Sequence, residues 1–267
     1  MQEEMGMTSG WISRIATWSV VALFPGLLLA ATARDKVAQN SPSETSATTV
    51  EMFAAMKEGQ IEVKLIPKDS SEARVLITNK TDQPLSIKLP STFAGVPVLA
   101  QAAGAGGGRS GNQNQSTGGG MDLFGGGGGG GGGGGFFNIA PERVGQLKVT
   151  TVCLEHGKKE PHAAVPYEIK PLEEVSQKPE VQELCRMLGA GKIPQRVAQV
   201  AAWHLNNDMS WDQLANKQLR FANGSTAPYF SRQEIQGAIR VVAVAYALVQ
   251  EKKSAQPTSE KKGSLSQ

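Results

Sequence analysis

Hydrophobic and polar residues alternate in several short segments between residues 61 and 169, which is the pattern of β-strands with one buried face. The alternation is clearest in IEVKLI, LSIKL and AVPYEI, and it places Ile61, Val63 and Leu65 on one face of the first segment. Turn sequences such as KDSS and NKTDQP separate the segments, as in antiparallel hairpins. About six such strands predict a small antiparallel β-sandwich over residues 48–171.

Helical spacing of apolar residues replaces this alternation after residue 171. Four segments show it: EVQELCRML, QRVAQVAAWHLNN, WDQLANK and QEIQGAIRVVAVAYALVQ. Ser210 and Ser231 are each followed three residues later by Gln or Glu, the signature of a capping box. Residues 172–250 are therefore predicted to form a compact unit of about four helices. Strands followed by helices indicate the α+β class.

A further short helix is predicted ahead of the strands, in TTVEMFAAMKEG. Thr48 and Glu51 have the spacing of a capping box, and Val50, Phe53 and Met56 lie on one helical face. Gly59 ends the segment, as glycine often does after a helix.

Glycine dominates one segment inside the predicted sandwich, residues 104–135, and Gly125 to Gly135 is an unbroken run. Glycine contributes no side chain to a core and loses much backbone entropy on ordering. We therefore expect a disordered loop that interrupts the sandwich. The polar segment 251–267 is predicted to be a disordered tail, because its composition cannot bury a core.

The first residues have the pattern of a secretory signal peptide. An uncharged stretch runs from Ile15 to Ala33, Arg14 precedes it, and Ala31 and Ala33 form a small-x-small cleavage site. Residues 1–33 are therefore predicted to be a signal peptide and 34–47 a linker, which implies export to the periplasm or the cell surface. The alternative is an uncleaved membrane anchor at residues 15–33.

Net charge argues against nucleic acid as a partner. The chain carries a formal charge of +3, and residues 1–33 contain one arginine and two glutamates, so their removal gives +4. This charge is spread along the chain, whereas a nucleic-acid interface gathers Lys and Arg on one face. We expect a cell-envelope component or another surface protein as partner, and contact with the membrane only through the signal segment if it is uncleaved.

All cysteines and histidines lie in one part of the chain: Cys153, His156, His162, Cys185 and His204. In an oxidising compartment Cys153 and Cys185 can form a disulfide. Such a bond would stabilise the fold by about 3–4 kcal/mol in the chain-entropy model. A pair of unlinked, buried thiols is the simplest alternative.

A metal site is a second interpretation of the same residues, with His156, His162 and His204 as candidate ligands. Cys153 and His156 have one spacing found in zinc sites, but no second pair of ligands follows at a matching distance. A metal is therefore not favoured. GAGKIP lacks the first glycine and the Ser/Thr of a phosphate-binding loop, and no cofactor is expected.

The segment AQVAAW, from Ala198 to Trp203, resembles the TQxA-type motif of bacterial surface thioester domains, in which a glutamine side chain is joined to a cysteine. Gln199, Ala201 and Trp203 match the motif, while Ala198 replaces its usual threonine. The resemblance implies a bond between Gln199 and Cys153 that acylates an amine or hydroxyl on another surface. Packing in a helix core explains the same apolar residues equally well.

The chain also resembles uncharacterised exported bacterial proteins, in its signal segment and in NKTDQPLSIKLP, VCLEHGKKEP and AQVAAWHLNNDMSW. This resemblance implies a role outside the cytoplasm and no particular activity. The sequence therefore predicts an exported structural or binding protein of the cell envelope or periplasm, without catalytic residues or a cofactor. A thioester-type covalent adhesin and a metal-binding exported domain are the alternatives.

Overall fold

A computed structural model describes residues 47–98, 114–121 and 135–255. The predicted signal peptide, the linker up to residue 46 and the tail from residue 256 lie outside the described residues. The elements are β1 (Thr48–Glu51), α1 (Met52–Lys57), β2 (Ile61–Pro67), β3 (Glu72–Asn79), β4 (Leu85–Lys88), β5 (Phe93–Pro97), β6 (Thr117–Gly119), β7 (Phe136–Ile139), β8 (Val144–Cys153), β9 (Tyr167–Lys170), α2 (Pro179–Gly189), α3 (Gln195–Asn207), α4 (Trp211–Ala215), β10 (Gln218–Arg220), β11 (Thr226–Pro228) and α5 (Arg232–Ala255). The predicted α+β class is confirmed.

Six strands form a closed barrel in the order β2, β3, β8, β6, β5, β9, and not the predicted sandwich. The long strand β8 pairs with β3 along residues 144–150 and with β6 along residues 151–153. The barrel closes where β9 pairs with β2, at Leu65 and Tyr167. The alternation in the sequence identified the strands, but closure depends on this pairing between strands far apart in the chain.

A separate three-stranded sheet joins β1, β4 and β7, with β1 parallel to β4. The predicted capping box at Thr48 and Glu51 is wrong, because Thr48–Glu51 is a strand paired with Leu85–Lys88. Glu51 itself is the N-cap of α1, and its carboxylate accepts a hydrogen bond from the Ala54 N–H at 2.8 Å. Helix α1 consequently buries Met52 and Ala55 on the barrel side.

Part of the glycine-rich segment belongs to the barrel, so the expectation of a disordered loop is wrong for residues 114–121. Strand β6 lies there, and its glycines permit close approach of α2. A Cβ atom at Gly120 would lie 2.7 Å from the Cys185 carbonyl oxygen and 2.8 Å from Cα of Gly189. The remainder of the predicted loop, residues 104–113 and 122–134, lies outside the described residues.

The four predicted helices after the barrel are present as α2–α5, and a hairpin that the sequence did not predict, β10–β11, separates α4 from α5. The capping boxes at Ser210 and Ser231 are confirmed. Helix α5 continues to Ala255, five residues into the predicted tail. None of the described helices is both long and apolar enough to cross a bilayer.

The helices pack directly on the outer face of the barrel. Val152 near the end of β8 and Leu154 just after it belong to the same buried cluster as Leu184 of α2 and Val200 of α3. A second cluster fills the barrel interior and the space under α1. Helix α3 is thereby held beside the last residues of β8, where the candidate site lies.

Candidate functional site

The side chain of Gln199 lies directly against the backbone of Cys153, although the two residues are 46 positions apart. The N–H of Cys153 donates to Gln199 Oε1 at 2.8 Å, and Gln199 Nε2 donates to the Cys153 carbonyl oxygen at 2.9 Å. Both residues are buried, with 1% of Cys153 and 4% of Gln199 exposed. The two residues that the thioester motif singles out are therefore neighbours in the fold.

This contact forms because the pairing of β8 with β3 stops at Thr150, whereas β8 continues to Cys153. Glu72, the first residue of β3, lies opposite Thr150, and the Thr151 N–H still donates to the Ser71 carbonyl oxygen. Beyond that point, no strand in the described part of the chain pairs with this edge of β8. The buried N–H and C=O of Cys153 need partners, and the carboxamide of Gln199 supplies both.

Three more amide side chains of α3 bind the same stretch of backbone. Gln195 Nε2 donates to the Thr151 carbonyl oxygen at 3.0 Å, and Asn206 Nδ2 donates to the Leu154 carbonyl oxygen at 2.7 Å. Asn207 Oδ1 accepts from the His156 N–H at 3.1 Å. We call the contact between these four amides and residues 151–156 the amide seam. Along the seam, side chains of α3 take the place of a neighbouring strand.

Cys153 and Cys185 are free thiols in this structure, and both belong to the buried cluster that β8 shares with α2 and α3. The Cys185 sulfur lies 3.0 Å from the position that a Cβ would take at Gly118 of β6. The two thiols are not bonded to each other here, and the predicted disulfide stays a prediction.

Burial sets the protonation of both thiols. It raises the pKa of Cys153 far above the usual value, and the carboxylates of Glu160 and Asp69 raise it further. Burial alone raises the pKa of Cys185 to about 12. Both cysteines are therefore protonated thiols at neutral pH, and neither has the low pKa of a reactive thiolate.

The three candidate metal ligands lie in separate surroundings. His156 packs edge-on against Trp203, whereas His204 stacks on Trp211 and its Nδ1 lies 2.8 Å from the Met209 carbonyl oxygen. His162 is exposed. Among the described residues no three His, Cys, Asp or Glu side chains are grouped closely enough to hold a metal ion.

A cluster beside the seam encloses the ammonium group of Lys217. Its Nζ lies 5.3 Å from the ring centroid of Trp203, 5.1 Å from that of Tyr229 and 2.9 Å from Nε2 of His156. We call His156, Trp203 and Tyr229 the ammonium cage. Burial lowers the pKa of His156, and the charge of Lys217 lowers it further. His156 is thus a neutral imidazole whose Nε2 accepts a hydrogen bond from the ammonium.

The sequence did not identify the cage. Trp203 belongs to the AQVAAW segment and His156 was noted as a candidate ligand, but Lys217 and Tyr229 carry no motif. They come together because the β10–β11 hairpin returns the chain, and the Tyr229 N–H donates to the Lys217 carbonyl oxygen at 2.8 Å. No local pattern in the sequence encodes that contact.

No protein family model, curated protein or solved structure matches this chain. Its function is therefore inferred from the geometry of the amide seam and of the cage. The Cys153–Gln199 contact is the feature with the clearest chemical consequence, because it places a carboxamide carbon beside a thiol-bearing residue.

Proposed function

We propose that this protein is an exported binding protein of the cell envelope, without catalytic turnover, that attaches to its partner through a thioester between Cys153 and Gln199. One observation carries the proposal: the Gln199 carboxamide is held against Cys153 by two hydrogen bonds. The resemblance of AQVAAW to surface thioester motifs selects the same pair. The proposal also retains the export that residues 1–33 predict.

The contact suits bond formation. The Cys153 N–H donates to Gln199 Oε1 and so stabilises the negative charge that develops on this oxygen when the carbonyl carbon is attacked. Attack by Sγ of Cys153 on Cδ of Gln199 forms the C–S bond and breaks the C–N bond. The thiol proton leaves with the nitrogen as ammonia, so the step needs no oxidant or cofactor.

Attachment then follows from the reactivity of the thioester. A partner amine or hydroxyl attacks Cδ, an amide or ester forms, and Cys153 recovers its thiol proton from the nucleophile. The protein remains joined to its partner through Gln199. Each molecule reacts once, which is why the proposal involves no catalytic turnover.

Burial of the pair has two consequences for this chemistry. It raises the pKa of Cys153, so thiolate is scarce at neutral pH and bond formation is expected to be a slow, single event after folding. The same burial keeps water away from the acyl carbon and protects the product from hydrolysis.

The intact mass of the exported protein tests the proposal. A thioester lowers the mass by one ammonia, and treatment with methylamine then adds one methylamine. Gln199→Ala and Cys153→Ala should abolish both changes, whereas Cys185→Ala, a change at the other buried cysteine, should preserve them. An unchanged mass with two free thiols would rule the thioester out. A disulfide would remove two hydrogens and respond to a reductant, but not to methylamine.

Non-covalent binding is the second candidate, and the amide seam favours it. Four amides of α3 already satisfy the backbone at the end of β8, so Gln199 has a structural role without any bond to Cys153. In that case the mass is unchanged and Gln199→Ala acts on stability alone. The metal-binding alternative has no comparable observation in its favour.

Export itself rests on the first residues, which lie outside the described part of the chain. The proposal predicts that the mature protein begins near residue 34 and is recovered from the periplasm or the cell surface. N-terminal sequencing after cell fractionation tests this. A full-length protein recovered from the cytoplasm would contradict it.

A further inference from the structure

We infer that the ammonium cage is a binding site for a lysine side chain of a partner protein, and that Lys217 occupies it when no partner is bound. The inference extends the proposed function, since it names a primary amine as the group that Gln199 acylates. The part of the inference that concerns lysine binding depends only on the cage, and not on the thioester.

The cage has the features that recognise an alkylammonium ion. Aromatic rings attract a cation placed over their faces at about 6 Å or less from the centroid. Trp203 and Tyr229 both meet this condition for Lys217. Nε2 of His156 accepts a hydrogen bond from one of the three N–H groups of the Lys217 ammonium. Trp203 Nε1 is buried and has no hydrogen-bond partner among the described residues.

Comparison of Lys217 with Arg196 shows why we regard Lys217 as exchangeable and Arg196 as fixed. Arg196 also lies over aromatic rings, those of Tyr229 and Phe230, but it forms an ion pair with Glu234 at 2.9 Å. In the described part of the chain no carboxylate forms an ion pair with Lys217. The contacts of Lys217 are thus ones that any primary ammonium can reproduce.

Lys217 lies at the base of a weakly held hairpin. It directly precedes the β10–β11 hairpin, whose two strands pair only with each other and are almost entirely exposed. An isolated two-stranded hairpin is at best marginally stable. Tyr229, at the other base, is held separately by Arg196 and by a ring contact with Phe230 at 4.7 Å. The Lys217 side chain can therefore leave the cage while the aromatic walls stay in place.

The position of the cage connects it to the amide seam. Trp203 lies one helical turn after Gln199 on the same side of α3, and His156 follows Cys153 closely in the chain. A lysine bound in the cage would lie beside the acyl carbon. The neutral imidazole of His156 would take one proton from its ammonium, and the free amine would then attack Cδ of Gln199.

Binding of n-butylammonium tests the site without the thioester. The experiment uses the full chain carrying Cys153→Ala, in which no thioester forms, and follows the NMR signal of the Trp203 indole N–H. We expect Lys217→Ala to bind n-butylammonium about tenfold more tightly than the chain with Lys217, because the cage is empty. Lys192→Ala, which removes an exposed lysine elsewhere, should leave the affinity unchanged.

Two outcomes would overturn the inference. One is a Lys217→Ala chain, shown to be folded by circular dichroism, that binds n-butylammonium no better than its parent. The other is equal binding of n-butanol, which has the same shape without the charge. If Lys217→Ala disturbs the fold, Lys217→Gln provides the same comparison. Failure of the thioester would leave these binding results unaffected, so the two proposals are tested separately.

Discussion

Strand β8 is held in two different ways along one edge, and the comparison shows how this fold uses its sequence. Residues 144–150 pair with the backbone of β3, whereas residues 151–156 are bound largely by the four side-chain amides of α3. Backbone pairing tolerates most side chains. The amide seam depends on four particular residues, so substitutions there should be far more harmful than substitutions at exposed positions of β3.

Gln199→Ala is expected to have the largest effect. It leaves the N–H and C=O of Cys153 buried without partners, and each such group costs about 1–3 kcal/mol. We therefore expect the free energy of unfolding to fall by about 3 kcal/mol, measured by urea denaturation. Gln236→Ala, at an exposed position of α5, is the matched control and should change it by less than about 0.5 kcal/mol. A similar small change for Gln199→Ala would show that the seam contributes little.

Gly120→Ala should be the next most harmful change, and it probes the other neighbour of β8. The added methyl group would meet the carbonyl oxygen of Cys185 and Cα of Gly189, both of them backbone atoms that cannot rotate away. We expect a loss of about 2 kcal/mol in stability. Gly130→Ala, inside the glycine run predicted to be a coil, should be nearly neutral. Equal effects of the two variants would contradict the role assigned to β6.

Asn206→Ala should lower the free energy of unfolding by less than Gln199→Ala or Gly120→Ala, because it removes one hydrogen bond of the amide seam. Asn206 donates to the Leu154 carbonyl oxygen and accepts from the hydroxyl of Ser176 at 2.7 Å. The expected loss is about 1.5 kcal/mol, again by urea denaturation. Asn223→Ala, in the exposed turn of the hairpin, offers a control with the same side chain. Equal stability of the two variants would contradict the contribution that we assign to the amide seam.

The smallest expected effect concerns Glu155, which follows β8 in the chain and accepts a hydrogen bond from the N–H of Ser116, the residue before β6. Burial raises the pKa of Glu155, but hydrogen bonds from Lys158 and the Ser116 N–H outweigh it and hold the pKa below its usual value. A lowered folded-state pKa contributes stability above the unfolded pKa of about 4.3, and this is lost as the pH falls through the folded value.

Glu155→Gln should therefore flatten the decline of stability below about pH 4.3, while lowering stability slightly at pH 7. Thermal unfolding as a function of pH measures both effects. Because the carboxylate is partly exposed, the contribution at pH 7 is expected to be below about 1 kcal/mol. An identical acid dependence in the two proteins would contradict the assignment.

The sequence predicted what local patterns encode. The strands of the hairpins, the four later helices and two capping boxes were all visible as alternation, helical spacing and Ser-x-x-Gln/Glu signatures. The pairing of Cys153 with Gln199 came from a motif, and the two residues are neighbours in the structure. These features depend on residues close together in the chain or on a known spacing of chemical groups.

The parts that were missed depend on contacts between distant segments. The barrel closes through Leu65 and Tyr167, and no pattern in either strand marks the other as its partner. Strand β6 was overlooked because a glycine-rich composition is typical of a coil, whereas here glycine is required by the closeness of α2. Lys217 and Tyr229 meet only because a hairpin folds back.

Peptide mapping of the exported protein is the sharpest test of a bond between Cys153 and Gln199. After proteolysis under mildly acidic conditions, we expect one cross-linked species that contains both the Cys153 peptide and the Gln199 peptide, with the mass of their sum less one ammonia. Methylamine should release the two peptides. Recovery of the two peptides separately, with a free thiol on Cys153 and an intact carboxamide on Gln199, would contradict it.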